Sequence, residues 1–304
     1  MEEAAAYAPC HITGFFEIFD ESADALFAGS KGAGVSMNLG AKTTVKIRKC
    51  SKYSLKVRMN NHIVGSSKVT ESVVDAFFSR LGDAVGLEIS VEHHIEAPIG
   101  AGFGTSGAAA LSLALALNEA LELRMPRLEA AQIAHTAEVE CRTGLGTVIA
   151  ETFGGFEVRV RPGAPGIGEI KRLPIPDDTL VVCHVFGPLS TKEALTNSDT
   201  RARINRFGGE LVQELINAPT IMNFMKLSRQ FAEHVGLITE KVRRILVAAD
   251  EAGVICSMPM FGESAFTITD ENGIEPILQI FRESGPTGQT VVSKVNQEGA
   301  RLLR

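Results

Sequence analysis

Gly100, Gly102, Gly104 and Gly107 are interleaved with Thr105 and Ser106 directly ahead of an Ala- and Leu-rich stretch, in the segment PIGAGFGTSGAAALSLALAL at residues 98–117. Closely spaced glycines let backbone N–H groups approach an anion. A helix N-terminus beyond them adds unpaired donors and partial positive charge. Phosphate is the guest this chemistry suits. The Walker A pattern GxxxxGK[ST] occurs nowhere in the chain. Gly102, Gly104 and Gly107 do spell G-x-G-x-x-G after an alternating, strand-like run at 87–97. A dinucleotide site also needs an acid at the end of the next strand, about 20 residues on. Glu119 and Glu122 instead fall where the helical pattern still runs.

Phosphoryl transfer calls for positioning and charge neutralisation: a hydroxyl near the phosphates, a carboxylate for Mg²⁺ and cations for the acceptor. The amphipathic run at 128–142 supplies the carboxylate. His135, Glu138 and Arg142 share one helix face there, while Glu140 points away from Glu138. His135 has the ordinary pKa for accepting or relaying a proton, or it holds the acceptor by a hydrogen bond. In FEVRVRP, residues 156–162, the apolar positions 156, 158 and 160 face one side, so Glu157, Arg159 and Arg161 share the other. Arg159 is the favoured clamp for an acceptor carboxylate. A second Gly-rich element, GSKGAGVSMNLG at 29–40, brings Ser30 and Lys31 toward a substrate hydroxyl or carboxylate.

These residues need a scaffold, and 304 residues suffice for about two domains. Alternation predicts strands over 11–19, 35–49, 53–59 and 156–161, and helical spacing appears at 69–82 and 128–142. The Gly- and Pro-rich stretch 162–178 marks a boundary, giving a nucleotide-binding domain at 1–172 and an α+β domain at 173–304. The second half opens with a strand at 180–189, continues with helical patterns at 191–217, 219–234 and 238–252, turns at Pro259 and Gly262, and finishes as strand and turn. A net charge of -6 without a run of Lys or Arg speaks against nucleic-acid or anionic-membrane partners. Five scattered cysteines without a C-x-x-C pair indicate neither a zinc site nor a disulfide framework, and they fit a reducing, cytoplasmic setting.

Pro98, Gly102, Gly104, Thr105, Ser106 and Ala108 resemble the P-x-x-x-G-L-G-S-S-A-A signature of the GHMP kinases, from whose commonest spelling Phe103, Thr105 and Gly107 depart while keeping an apolar anchor, a hydroxyl and a small residue. The resemblance implies an α+β, two-domain GHMP-kinase-like fold, with a ribosomal-protein-S5-like N-terminal domain and a ferredoxin-like C-terminal domain. It also implies ATP in the loop of residues 98–107 and Mg²⁺ held by Ser106 with Glu138, which follows Ala134 in the family's A-x-x-x-E context. A homodimer is implied by the resemblance alone. Several members carry an aspartate base seven residues before the Gly-Gly turn, where this chain has Thr147. That departure favours attack by a well-placed hydroxyl without a carboxylate base. In APCHITGFFE at 8–17, Cys10 and His11 stand where many members have glycine and lysine, which makes His11 a substrate-side candidate.

Together with GSKGAGVSMN, AHTAEVECRTGLGTV and GVICSMPMFGESAF, that segment is similar to the archaeal pantoate kinases within the superfamily. The small-molecule acceptor implied is pantoate, anchored by Arg159, His11 and Ser30, with Met258 to Gly262 closing over it from the second domain. A kinase for another small acid or amino acid, of homoserine or mevalonate type, and a non-catalytic nucleotide-binding protein are the alternatives. An acceptor panel separates them.

Overall fold

The computed structural model describes residues 2–81, 86–189 and 197–304. Its spine is a long antiparallel pair, β1 (Glu2–Phe19) with β2 (Gly29–Lys49), whose register shifts at Pro9/Cys10 and Thr13/Phe15. The downstream half of β2 pairs with β5 (Leu87–Ile95), which takes β3 (Ser54–Met59) in parallel; β3 pairs with β4 (His62–Ile63). The upstream half of β2 pairs instead with β6 (Phe156–Arg161), and β6 with β7 (Glu169–Leu173). One strand thereby serves two branches of a sheet, and the branch point lies beside the glycines of residues 29–34.

Continuous burial along Ala6 to Ile12 of β1 comes from helices on both of its faces. On one side lies α2 (Thr105–Ala120), almost wholly buried because Ala and Leu dominate every face of it. Such residues are also strong helix formers, so packing and local preference agree. Asn118 closes the turn that follows: its Oδ1 accepts from Met125 N and its Nδ2 donates to Met125 O, both at 3.0 Å. This fixes α3 (Arg127–Cys141) against α2, which brings Glu138 back to the start of α2. α1 (Lys68–Phe78) packs on both, and α4 (Thr147–Phe153) packs under α2 and β1. The seven-residue α4 falls where the sequence showed only TGLGTV and a Gly-Gly turn.

The second sheet is β10 (Gln289–Lys294), β8 (Leu180–Pro188) and β9 (Gly262–Thr269), in that order, all antiparallel. A ferredoxin-like layer has four strands. Among the described residues the fourth is reduced to a bridge between Ser257 and Phe266. Helices α5 (Ser198–Asn217), α6 (Ile221–Val235), α7 (Glu240–Glu251) and α8 (Ile274–Ser284) complete this half. The helical pattern read from residue 191 begins at Ser198; residues 191–196 lie outside the described residues, as does the Gly82 end of the first helical pattern. α5 and α6 pack on β1, and β11 (Arg301–Leu303) returns to pair with β1 on its other edge. No helix of the described residues is long and apolar enough to cross a membrane.

Candidate active site

Where the two halves meet, a cavity of about 250 Å³ is lined by the Gly loop, α3, the turn at 143–147, β1, β6 and the Met260–Phe261 segment. Its size suits a compact guest. α2 begins at Gly104, whose φ of 63° is left-handed and whose lack of a side chain leaves the first N–H groups of the helix uncapped. By contrast α5, α6 and α7 start at Asn197, Thr220 and Thr239, each accepting from a backbone N–H three residues on. The uncapped start of α2 opens into the cavity, ready for an anion.

Ser106, in the first turn of α2, donates to Glu138 Oε1 at 2.5 Å, and Thr143 donates to the same oxygen at 2.7 Å. Burial pushes the Glu138 carboxyl above its ordinary pKa, with the two hydroxyl donors opposing the shift. Nearby positive charge would favour its ionised form. One hydroxyl and one carboxylate at the mouth of a phosphate cradle suit Mg²⁺, which keeps waters and takes phosphate oxygens rather than needing a full protein cage. Accordingly, no cluster of three or more His, Cys, Asp or Glu side chains suited to a metal occurs among the described residues. Ser106 and Glu138 fit that partial donor set.

At the other end Arg159 lines the cavity while 1% exposed. Its Nη1 donates to Glu157 Oε1 at 2.5 Å, and the same oxygen lies 3.0 Å from His11 Nε2. A carboxylate only accepts, so His11 carries its proton on Nε2, and Nδ1 accepts from Thr13 Oγ1 at 3.3 Å. Burial depresses the His11 pKa, with Glu157 pulling the other way. Ser30 also lines this end. A Cβ at Gly146 would collide with Ser30 Oγ and come within 2.9 Å of Arg159 Nε. Phe16 and Phe261 meet edge to face at 5.7 Å between centroids and form an apolar wall.

The structure gathers His11, Ser30, Gly100, Gly102, Phe103, Gly104, Thr105, Ser106, Glu138 and Arg159 around this one cavity. It does not bring His135 there. His135 is buried, with Nε2 within 3.1 Å of Ala25 O and 3.0 Å of Ala28 O, so it ties α3 to the segment before β2. His135 sits three residues, about 4.5 Å along the axis, before Glu138 on α3, and there its ring reaches the Ala25 and Ala28 carbonyls instead of the cavity. Lys31 also departs from expectation. Successive strand residues point to opposite sides, so when Ser30 reaches the cavity Lys31 lies 4.8 Å over the Phe19 ring. Arg142 sits past the helix end in left-handed backbone, φ 57°, and is exposed. Pro98 and Gly107 are outside the lining as well; Gly107 faces α4 beneath the loop.

Sequence reasoning missed Glu157 as a partner of Arg159, Thr143 on Glu138, Phe16, and Glu151. The last is fully buried on α4 with neither carboxylate oxygen hydrogen-bonded. Burial, with Glu138 nearby, raises its pKa well above the usual carboxylate range. Alternation already put Glu157 beside Arg159. Nothing in a seven-residue helix flagged Glu151.

An uncapped helix start, a hydroxyl–carboxylate pair and an arginine around one cavity define a small-molecule phosphotransferase. The family model described as GHMP kinases N terminal domain matches residues 67–155. The chain is 36% identical to the pantoate kinase of Methanocaldococcus jannaschii, over 91% of this chain and 96% of that one. It is 35% identical to the pantoate kinase of Thermococcus kodakarensis, over 91% of each. A solved structure described as a phosphotransferase related to the CoA biosynthesis pathway superposes with a TM-score of 0.89 at 30% identity, covering 99% of both chains. The chain belongs to the GHMP kinases, in the family of the pantoate kinases.

Proposed function

We propose that this protein transfers the terminal phosphoryl group of ATP to the primary hydroxyl of pantoate, giving 4-phosphopantoate on the route to coenzyme A. The observation that carries this reading is one cavity lined together by the uncapped start of α2, the Ser106–Glu138 pair and Arg159. The N–H groups beginning at Thr105 bind the phosphates. Ser106 and Glu138 hold Mg²⁺, which when bound supplies the positive charge that offsets the triphosphate. Arg159, with Ser30 and His11 beside it, anchors the acceptor carboxylate. Phe16 and Phe261 pack against the gem-dimethyl carbon, and Met260 covers the cavity from the second half.

Glu138 is the sole carboxylate among the lining residues, and Ser106 and Thr143 already engage it. The acceptor hydroxyl therefore attacks without a dedicated carboxylate base, Thr147 occupying that wall. A loose transition state leaves little for a base to do, so positioning and charge compensation carry the rate. The cytoplasm is the setting this reading implies, since ATP is made there and all five cysteines are free thiols.

The test is a panel of pantoate, homoserine, mevalonate, shikimate and no acceptor with MgATP, read as ADP release and by phosphorus NMR of the product. Pantoate-dependent turnover well above the others is expected. Turnover of another acceptor would reassign the substrate, and ATP binding without transfer would leave a non-catalytic nucleotide-binding protein.

A further inference from the structure

Three strands bring His11, Glu157 and Arg159 together. In the register of the sheet, β2 lies between β1 and β6, with Gly34 opposite Glu157 and Gly32 opposite Arg159. Any side chain at these two β2 positions would block the cluster. A Cβ at Gly34 would run into the His11 ring, and one at Gly32 would come within 2.8 Å of Arg159 Nη2. The glycines of GSKGAG thus leave a lane free of side chains. Across it His11 from β1 and Arg159 from β6 converge on one oxygen of Glu157. This accounts for the second Gly-rich element of the sequence without assigning it a phosphate.

Glu157 is itself fully buried and absent from the cavity lining, so it acts through its neighbours. Holding one guanidinium edge, it leaves Arg159 Nε buried without a partner, against the Gly146 turn that lines the cavity. His11 is neutral in the tautomer its partners require, so Glu157 and Arg159 cancel in charge. Recognition of an anion here then rests on where the guanidinium edge is held more than on net positive charge.

We propose that Glu157 is the positioning residue for acceptor recognition: through its bridge to Arg159 and His11 across the Gly32–Gly34 lane, it fixes the Arg159 fork that selects a carboxylate-bearing acceptor over its neutral analogue. The inference rests on the acceptor reading above.

Two variants separate reach from charge. Glu157→Asp keeps the charge and withdraws the carboxylate by one methylene, whereas Glu157→Gln keeps an accepting oxygen at the same reach and removes the charge. Isothermal titration in the presence of Mg²⁺ and a non-hydrolysable ATP analogue gives Kd for pantoate and for its neutral amide. In E157D, binding of the acid weakens by about tenfold or more, the loss of a charged hydrogen bond. In E157Q it stays within about threefold of wild type, and in both variants the amide and the nucleotide analogue bind as before. The proposal is overturned if E157D binds the acid normally, if E157Q is as weak as E157D, or if acid and amide weaken in parallel. Loss of nucleotide binding together with acid binding would make Glu157 a structural residue and also overturn it. Wild-type protein that neither binds nor phosphorylates pantoate refutes the acceptor reading and this inference with it. Wild-type turnover with unmoved variants refutes the inference alone.

Discussion

Glu151 Oε2 lies where a side chain at Gly107 would begin: a Cβ built there would stand 2.8 Å from it. The other carboxylate oxygen lies 2.7 Å from a Cβ built at Gly104. An acid is thus wedged beneath the Gly-rich loop with no hydrogen-bonding partner on either oxygen.

Stability follows from that wedge. Because burial raises the folded-state pKa of Glu151, the native state holds its proton where the unfolded chain has lost it. Stability therefore falls as pH rises from the ordinary carboxylate pKa toward the raised one, by about 1.4 kcal/mol per pH unit at most. Glu151→Gln removes this dependence. Thermal melts from pH 5 to 9 are expected to show the variant gaining on wild type as pH rises, and a constant or shrinking difference would contradict the assignment.

Ser106→Ala and Glu138→Gln test the metal pair. Each is expected to lower kcat by about 100-fold or more while the far-UV spectrum and melting temperature stay close to wild type. The dependence of rate on Mg²⁺ concentration should move to higher values in Ser106→Ala. Near-normal turnover in either variant would remove both residues from the metal site.

His135 is expected to matter for stability and not for turnover. His135→Leu loses the donor to Ala25 O and Ala28 O and costs about 1–2 kcal/mol in urea denaturation. The folded variant keeps kcat/KM within about threefold of wild type. A large fall in kcat at full folding would restore His135 to the chemistry.

His93 predicts acid sensitivity. Buried between Thr43 and Thr70, its pKa is lowered from 6.5 to about 4 by desolvation. The unfolded chain takes up the proton first, so the contribution of neutral His93 to stability is complete above pH 6.5 and is lost as pH falls toward 4, by about 3 kcal/mol in all. Denaturation series across that window should give a shallower slope for His93→Gln than for wild type. Equal slopes would locate the sensitivity elsewhere.

Gly146→Ala perturbs the acceptor end alone. Its methyl group would displace Ser30 Oγ and crowd Arg159 Nε. KM for the acceptor is expected to rise by about tenfold with KM for MgATP unchanged, which steady-state kinetics in both substrates would show. Equal changes in the two constants would mean the turn supports the whole site.

The Gly-rich loop and the helix after it were legible because glycine spacing and helix formers are local signals, and the pairing of Ser106 with Glu138 was what the family resemblance implied. The acceptor end was only half legible. Alternation in FEVRVRP put Glu157 and Arg159 on one face, which ordinarily means solvent. Here β6 lies between β2 and β7, and Phe156 to Arg159 is buried on both faces, so the polar side becomes the floor of a cavity. Sheet neighbours decide that, and a single strand does not carry them. His135 and Lys31 went astray for a simpler reason. Spacing placed them near the site, but three residues of rise along a helix or one step along a strand takes the side chain elsewhere. Glu151 had no periodic signal, because α4 spans too few turns to show one.

The pairing of Ala5 with Leu303 ties strand β1 to a segment synthesised long after the Gly-rich loop. Until residues 301–303 emerge from the ribosome, the outer edge of β1 keeps its N–H and C=O groups unpaired, open to pairing with another chain. Contacts so distant in sequence form slowly. A fragment ending at residue 172 would hold the loop, Ser106, Glu138 and Arg159 yet lack both this edge strand and the helices α5 and α6 that cover one face of β1. The catalytic half is therefore an assembly product of the whole chain, and nascent polypeptide should depend on chaperone protection until β11 docks.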